Sequence, residues 1–134
     1  MSNISTVVIP DELVMNKIYF IREQKVMLDK DLAVLYDVKA IRLREQVKRN
    51  YLRFPENFMF QLTEKEVETM VSQNAILSKQ ILEGYLSYAI TEQGVLMLLN
   101  VLKNEQAIKM SIKIIEIFIK LREMLLLHKM FQFI

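Results

Sequence analysis

Two short segments, IYFIR (18–22) and KVML (25–28), alternate in pattern and are rich in β-branched and aromatic residues. With only Glu23 and Gln24 between them, they predict a β-hairpin. From Asp29 the apolar spacing becomes helical. Asp29 can cap a helix that runs to about Tyr36, and a second helix is expected from about Ala40 to Asn50. Arg53-Phe54-Pro55 stops it, because the residue before a proline avoids the helical region. Phe58, Phe60 and Leu62 alternate toward one face and predict a strand. Thr63 and Glu66 have the spacing of a capping box, which starts a short helix to about Val71. Residues 72–84 fit neither period and end at Gly84. Residues 85–90 (YLSYAI) predict another strand. Thr91 then caps a helix through Leu102, and Asn104 caps a long last helix over 104–127. This order of elements, without repeat, low-complexity tract or linker, predicts a single α+β domain over residues 1–134.

The last helix has an unusual pattern. Lys109, Lys113, Glu116, Lys120 and Glu123 form a narrow polar strip, and isoleucines, Met110, Phe118, Leu121 and Leu125 fill the rest. A surface helix needs an apolar stripe of only about 100° or somewhat more. The segment 105–127 is therefore either the central helix of the domain or half of a homodimer interface. The nine methionines are expected to serve as adaptable core.

A chain of 134 residues, 52% hydrophobic and 25% charged, can bury a core of its own. It has no cysteine, which excludes disulfides and thiolate metal sites and suits a reducing cytoplasm. MSNISTVVIP lacks the basic and apolar regions of a signal peptide. The most apolar tract, 112–127, is interrupted by Lys113, Glu116, Lys120, Arg122 and Glu123, so no membrane span is expected. Charge changes the picture through its distribution. Residues 39–53 hold Lys39, Arg42, Arg44, Lys48, Arg49 and Arg53 against Glu45, a local +5. The whole chain is +2, so the remainder sums to −3.

That basic segment falls on the second of the two predicted helices. At about 100° per residue, Ala40, Leu43 and Val47 share one stripe, and Arg42, Glu45 and Arg49 point the opposite way. Gln46 and Lys48 flank them, and Arg44 lies near the buried edge, where it must snorkel. Leu32, Ala33, Leu35 and Tyr36 supply the partner face, and small Ala33 permits close approach. Two helices joined by about three residues have the form of a helix-turn-helix unit, here over 29–50. Arginine can pair bidentately with guanine, glutamine with adenine, and glutamate can accept from cytosine. Lys48, Arg49 and Arg53 at the far end of this helix can meet phosphates, and Lys39 at its start belongs to the same candidate DNA-binding surface. A solvated basic face on a structural helix accounts equally for the segment alone.

Other candidate chemistry adds little. His128, the only histidine, lies toward the end of the last helix with no serine or cysteine motif to serve. Glu64, Glu66 and Glu68 fit a solvated helix face beside Lys65. Gly94, in the first turn of its helix, suits close packing more than anion binding. No HExxH, phosphate-binding loop, nucleophile elbow or dinucleotide fingerprint is present, so neither catalysis, metal nor cofactor is expected.

Taken together, VMLDKDLAVLY, VKRNYLRFPENFMFQLT and TEQGV, in that order within residues 16–125, resemble the ORF-six N-terminal domain family. Those domains occur in phage and bacterial proteins beside KilA-N and Bro-N modules. The resemblance implies a cytoplasmic DNA-binding module of a phage- or prophage-derived, antirepressor-type regulator, reading double-stranded DNA with residues 40–50. Three departures stand out. Glu23 and Asp37 occupy turn positions where the family often has glycine, and aspartate tolerates left-handed backbone better than most residues. The loop before YAITEQG, often rich in Arg and Gly, here contains only Lys79 and Glu83 as charged residues, so a DNA-contacting wing is not expected. The alternative reading is a protein-interaction module that binds a repressor instead of DNA.

Overall fold

The computed structural model describes residues 10–72 and 87–132. Strands β1 (Ile18–Ile21) and β2 (Gln24–Leu28) pair antiparallel, with Ile21 opposite Gln24. The turn is therefore Arg22–Glu23, one residue earlier than the pattern suggests. Both turn residues have positive φ, 53° and 61°, as a two-residue turn between right-twisted strands requires. Arg22 is held there from outside the hairpin. Its guanidinium lies 2.8 Å from the Glu66 carboxylate and 4.0 Å above the centre of the Phe60 ring.

Helix α1 (Asp11–Met15) precedes the hairpin. It is barely more than one turn, too short to show a period in the sequence. Its carboxylate at Asp11 lies 3.4 Å from both Lys113 and Lys120, which ties it to the last helix. Helix α2 (Asp29–Tyr36) follows β2 without a loop. Asp29 consequently does not cap it. Leu28, still extended, takes the cap position, while Asp29 is the first helical residue and accepts the Lys30 N–H at 2.9 Å. Helix α3 (Ala40–Arg49) and a 3-10 turn (Tyr51–Arg53) come next, then β3 (Met59–Gln61) and α4 (Glu64–Ser72). The capping box forms as expected: Thr63 N–H donates to Glu66 at 2.9 Å, and Glu66 N–H donates to the Thr63 hydroxyl at 3.1 Å.

Strand β4 (Tyr88–Thr91) enters between β2 and β3, giving the antiparallel order β1-β2-β4-β3. The expectations for residues 73–86, including the neutral loop and the first part of the predicted strand, lie outside the described residues. Thr91 caps α5 (Glu92–Val101) by accepting the Gly94 N–H at 3.3 Å. Asn104 likewise accepts from Ala107 at the start of α6 (Glu105–Gln132).

The sheet has two covered faces. The row Ile18–Met27–Ile90–Met59 runs across one of them and joins the larger core, with Leu32 and Tyr36 of α2, Leu98 of α5, and Ile114 and Phe118 of α6. Phe60, Leu28 and Ala89 face the other way and meet Val67 and Met70 of α4. The fold is α+β, and α6 is in part the central helix that its pattern allowed. Ala107, Met110, Ser111, Ile114, Ile117 and Phe118 are buried in the chain's own core, while Met124–Leu127 and Met130 are exposed. No helix among the described residues is long and apolar enough to cross a membrane.

Candidate nucleic-acid interface

The α2–α3 connection is built at Asp37, with φ 58° and ψ 46°. Val38 N–H donates to the Ala33 carbonyl at 2.9 Å and Asp37 N–H to that of Val34 at 3.1 Å. This is the paired closure of a helix that ends in a left-handed residue, the place where glycine is commonest. The turn aims α3 across α2, with Leu43 and Val47 buried against Leu32, Ala33 and Tyr36 in the shared core. Tyr36 anchors the pair to α6, its hydroxyl 2.8 Å from that of Ser111. Burial pushes the Tyr36 phenol up to about 12.

With that stripe buried, the outer arc of α3 carries Arg42, Glu45 and Arg49, with Lys48 on the flank, all exposed. Lys39 is exposed at its start, Arg53 in the 3-10 turn beyond its end, and Gln46 is half-buried on the flank. Asn50 closes the helix, its amide donating to the Gln46 carbonyl at 2.8 Å. Buried Phe54 then pins the turn from below.

The state of the arginines separates two groups. Arg22 pairs with Glu66, Arg122 with Glu92, and Arg44 lies 3.9 Å from Asp29. The other three arginines of the chain, Arg42, Arg49 and Arg53, form no ion pair among the described residues, and neither do Lys39 or Lys48. Even Glu45, three residues from Arg42 and four from Arg49, is not within ion-pair distance of either. The fold thus presents five cations that form no ion pair with a carboxylate of the described residues.

Four apolar side chains of the helix pair and the turn after it are also exposed, and their type alone does not announce it. Val34 on α2, Ile41 on α3, and Tyr51 and Leu52 on the 3-10 turn are exposed, Leu52 to 83%. The only hint in the sequence is that YL stands between a polar helix end and RFP. Arg44 stays at the buried edge as the helical wheel requires. It borders a cavity of about 590 Å³ between α3 and the sheet, whose lining also includes the buried carboxylate of Asp29.

The remaining candidates resolve on structural grounds. Glu66 belongs to the capping box, and its hydrogen bond from the Arg22 guanidinium holds its carboxyl below the usual carboxylate range. Glu64 and Glu68 are exposed on α4, and His128 is exposed within α6, which continues past it. A Cβ on Gly94 would overlap the Phe58 carbonyl oxygen and lie 2.7 Å from the Ile90 side chain, so close packing accounts for this glycine. Among the described residues, no three His, Cys, Asp or Glu side chains converge to hold a metal ion.

A family model described as ORF6N domain matches residues 16–101 of the chain. That span holds the hairpin, both helices of the pair, the 3-10 turn and α5. Comparison with curated proteins and with solved structures returns no match.

Proposed function

The chain belongs to the ORF6N domain family, and on that premise we propose that it is the DNA-binding module of a phage-type regulatory protein. In this reading it acts in the cytoplasm and reads double-stranded DNA with the outer face of α3. One observation carries it: among the described residues, the three arginines without an ion pair, Arg42, Arg49 and Arg53, all fall in residues 42–53. Arginines without a carboxylate partner keep all their donors for phosphates and base edges. Arg42, Glu45, Gln46 and Arg49 are the base-reading set, and Lys39, Lys48 and Arg53 the phosphate set.

Retention on a non-specific duplex tests this. Binding is expected to fall steeply as salt rises, because each neutralised phosphate releases counterions. The quadruple change Arg42→Ala, Lys48→Ala, Arg49→Ala and Arg53→Ala is expected to abolish retention while the circular dichroism spectrum stays that of the parent. A folded quadruple variant that binds duplex as well as the parent would falsify the assignment.

The exposed apolar side chains favour a second reading. Tyr51, Leu52, Val34 and Ile41 beside unpaired arginines have the make-up of a protein interface core. A repressor with an acidic surface would fit this patch, and a chain that ignores duplex at low salt but binds such a partner supports this alternative. Pairing of two chains through the distal part of α6 belongs with the DNA reading, because paired readers engage paired half-sites.

A further inference from the structure

The cavity of about 590 Å³ lies behind α3, on the side away from Arg42 and Arg49. It is open to solvent at its rim, where Lys48, Tyr51 and Gln61 are exposed. Its size falls in the range of small-molecule sites. One wall is α3 itself, with Leu43 and Val47 as apolar surface and Arg44 and Lys48 as cations. The opposite wall comes from one face of β3 and β4, with Met59 beside Ile90 and Gln61 beside Tyr88. Tyr51 and Phe54 add two further rings.

The charges in this lining do not cancel. Asp29 is 2% exposed and lies 3.9 Å from Arg44, so that carboxylate is matched by that guanidinium. Lys48 forms no ion pair among the described residues and leaves the described lining with one excess positive charge. Apolar walls, aromatic rings and one surplus cation define the complement. We propose that this cavity binds a small molecule with a flat apolar body and a single negative charge. Its anion meets Lys48 and its body lies between α3 and the sheet. Such a ligand would touch the back of the helix whose front carries Arg42 and Arg49, an effector position for the function proposed above.

Isothermal titration of the full chain, with no DNA present, tests the site. The probes are 2-naphthoate and its uncharged analogue of similar shape, 2-naphthamide. One naphthoate is expected per chain, with the amide weaker by roughly tenfold, the loss that accompanies a missing charge-assisted hydrogen bond. Lys48→Met is expected to bring naphthoate down to the level of the amide and leave the amide unchanged. Met59→Trp, which fills the cavity, is expected to abolish binding of both. If its melting curve shows that this variant does not fold, the comparison at the exposed position 48 decides alone. No saturable binding at millimolar probe, equal affinity for acid and amide, or undiminished binding to folded Met59→Trp protein each overturn the proposal. Because the titration contains no DNA, it can fail while α3 still reads DNA, and succeed where α3 does not.

Discussion

Arg42 and Arg49 project from the first and last turns of the outer arc of α3, whereas Lys48 and Arg53 lie at its edge and beyond it. If the arc enters a major groove, the first two meet base edges and the second two meet phosphates. Arg42→Ala or Arg49→Ala is then expected to weaken binding to a specific site by about 1–3 kcal/mol each. Lys48→Ala or Arg53→Ala is expected to weaken all duplexes alike and reduce the salt slope by about one. Filter binding on matched and scrambled sites at several salt concentrations separates the two effects, and identical profiles for all four variants would count against the division. At the back of the same helix pair, Tyr36→Phe leaves the buried Ser111 hydroxyl without its partner, at a cost of about 1–3 kcal/mol. This change also has a pH signature. The phenol ionises near 10 when unfolded and near 12 when folded. Between those values the unfolded chain binds fewer protons, so stability falls as pH rises through that window. Urea midpoints at about pH 9 and about pH 11 are expected to differ less for Tyr36→Phe than for the parent, and an unchanged difference would assign the alkaline loss to other groups.

At the level of elements, the α2–α3 turn depends on one residue with φ 58°. Left-handed backbone costs an ordinary L-residue about 1–2 kcal/mol, and aspartate somewhat less. Glycine removes that strain but loses more chain entropy on folding. Asp37→Gly is therefore expected to raise stability by only about 0.5–1 kcal/mol, and Asp37→Val to lower it by about 1–2 kcal/mol. Urea unfolding of the two variants checks the order, and a stabilising valine would mean the turn is not left-handed. The elements that were legible in the sequence are those with local causes. The capping box at Thr63, the caps at Thr91 and Asn104, and the buried stripe Leu43–Val47 each follow from residues within one or two turns. What was not legible depends on distant partners. The hairpin turn falls on Arg22–Glu23 because Ile21 and Gln24 close it, and Arg22 is held there by Glu66, 44 residues away. Helix α1 is too short to have a period, and it is tied to α6 through Asp11. The cations of the candidate site were visible as composition. Their lack of ion pairs was not, because the helical wheel sets Arg44 apart at the buried edge but does not show that the fold places Asp29 beside it. The exposure of Tyr51 and Leu52, and the cavity behind α3, likewise follow from how α3 sits over β3 and β4.

At the scale of the whole molecule, α6 divides the pattern that made it ambiguous. Its 28 residues extend about 42 Å, and burial in the chain's own core stops at Phe118, apart from the half-buried Leu121. Farther along, Met124, Leu125, Leu126 and Leu127 are consecutive and all at least half exposed. At about 100° per residue, four consecutive apolar side chains leave little of the circumference polar, and a helix of that kind is normally covered. No helix among the described residues is long and apolar enough to cross a membrane. A second copy of the same helix end covers it most simply, because two such ends are self-complementary about a two-fold axis. If the chain pairs in this way and α3 reads DNA as proposed, half-sites in the DNA would mirror the protein's symmetry. Light scattering at micromolar concentration is expected to give twice the chain mass of 15.9 kDa. Leu126→Glu is expected to return the mass to that of one chain and to weaken binding to paired half-sites, while a single half-site is bound as before. A parent protein that stays at 15.9 kDa under these conditions would show that the exposed end of α6 has some other cover.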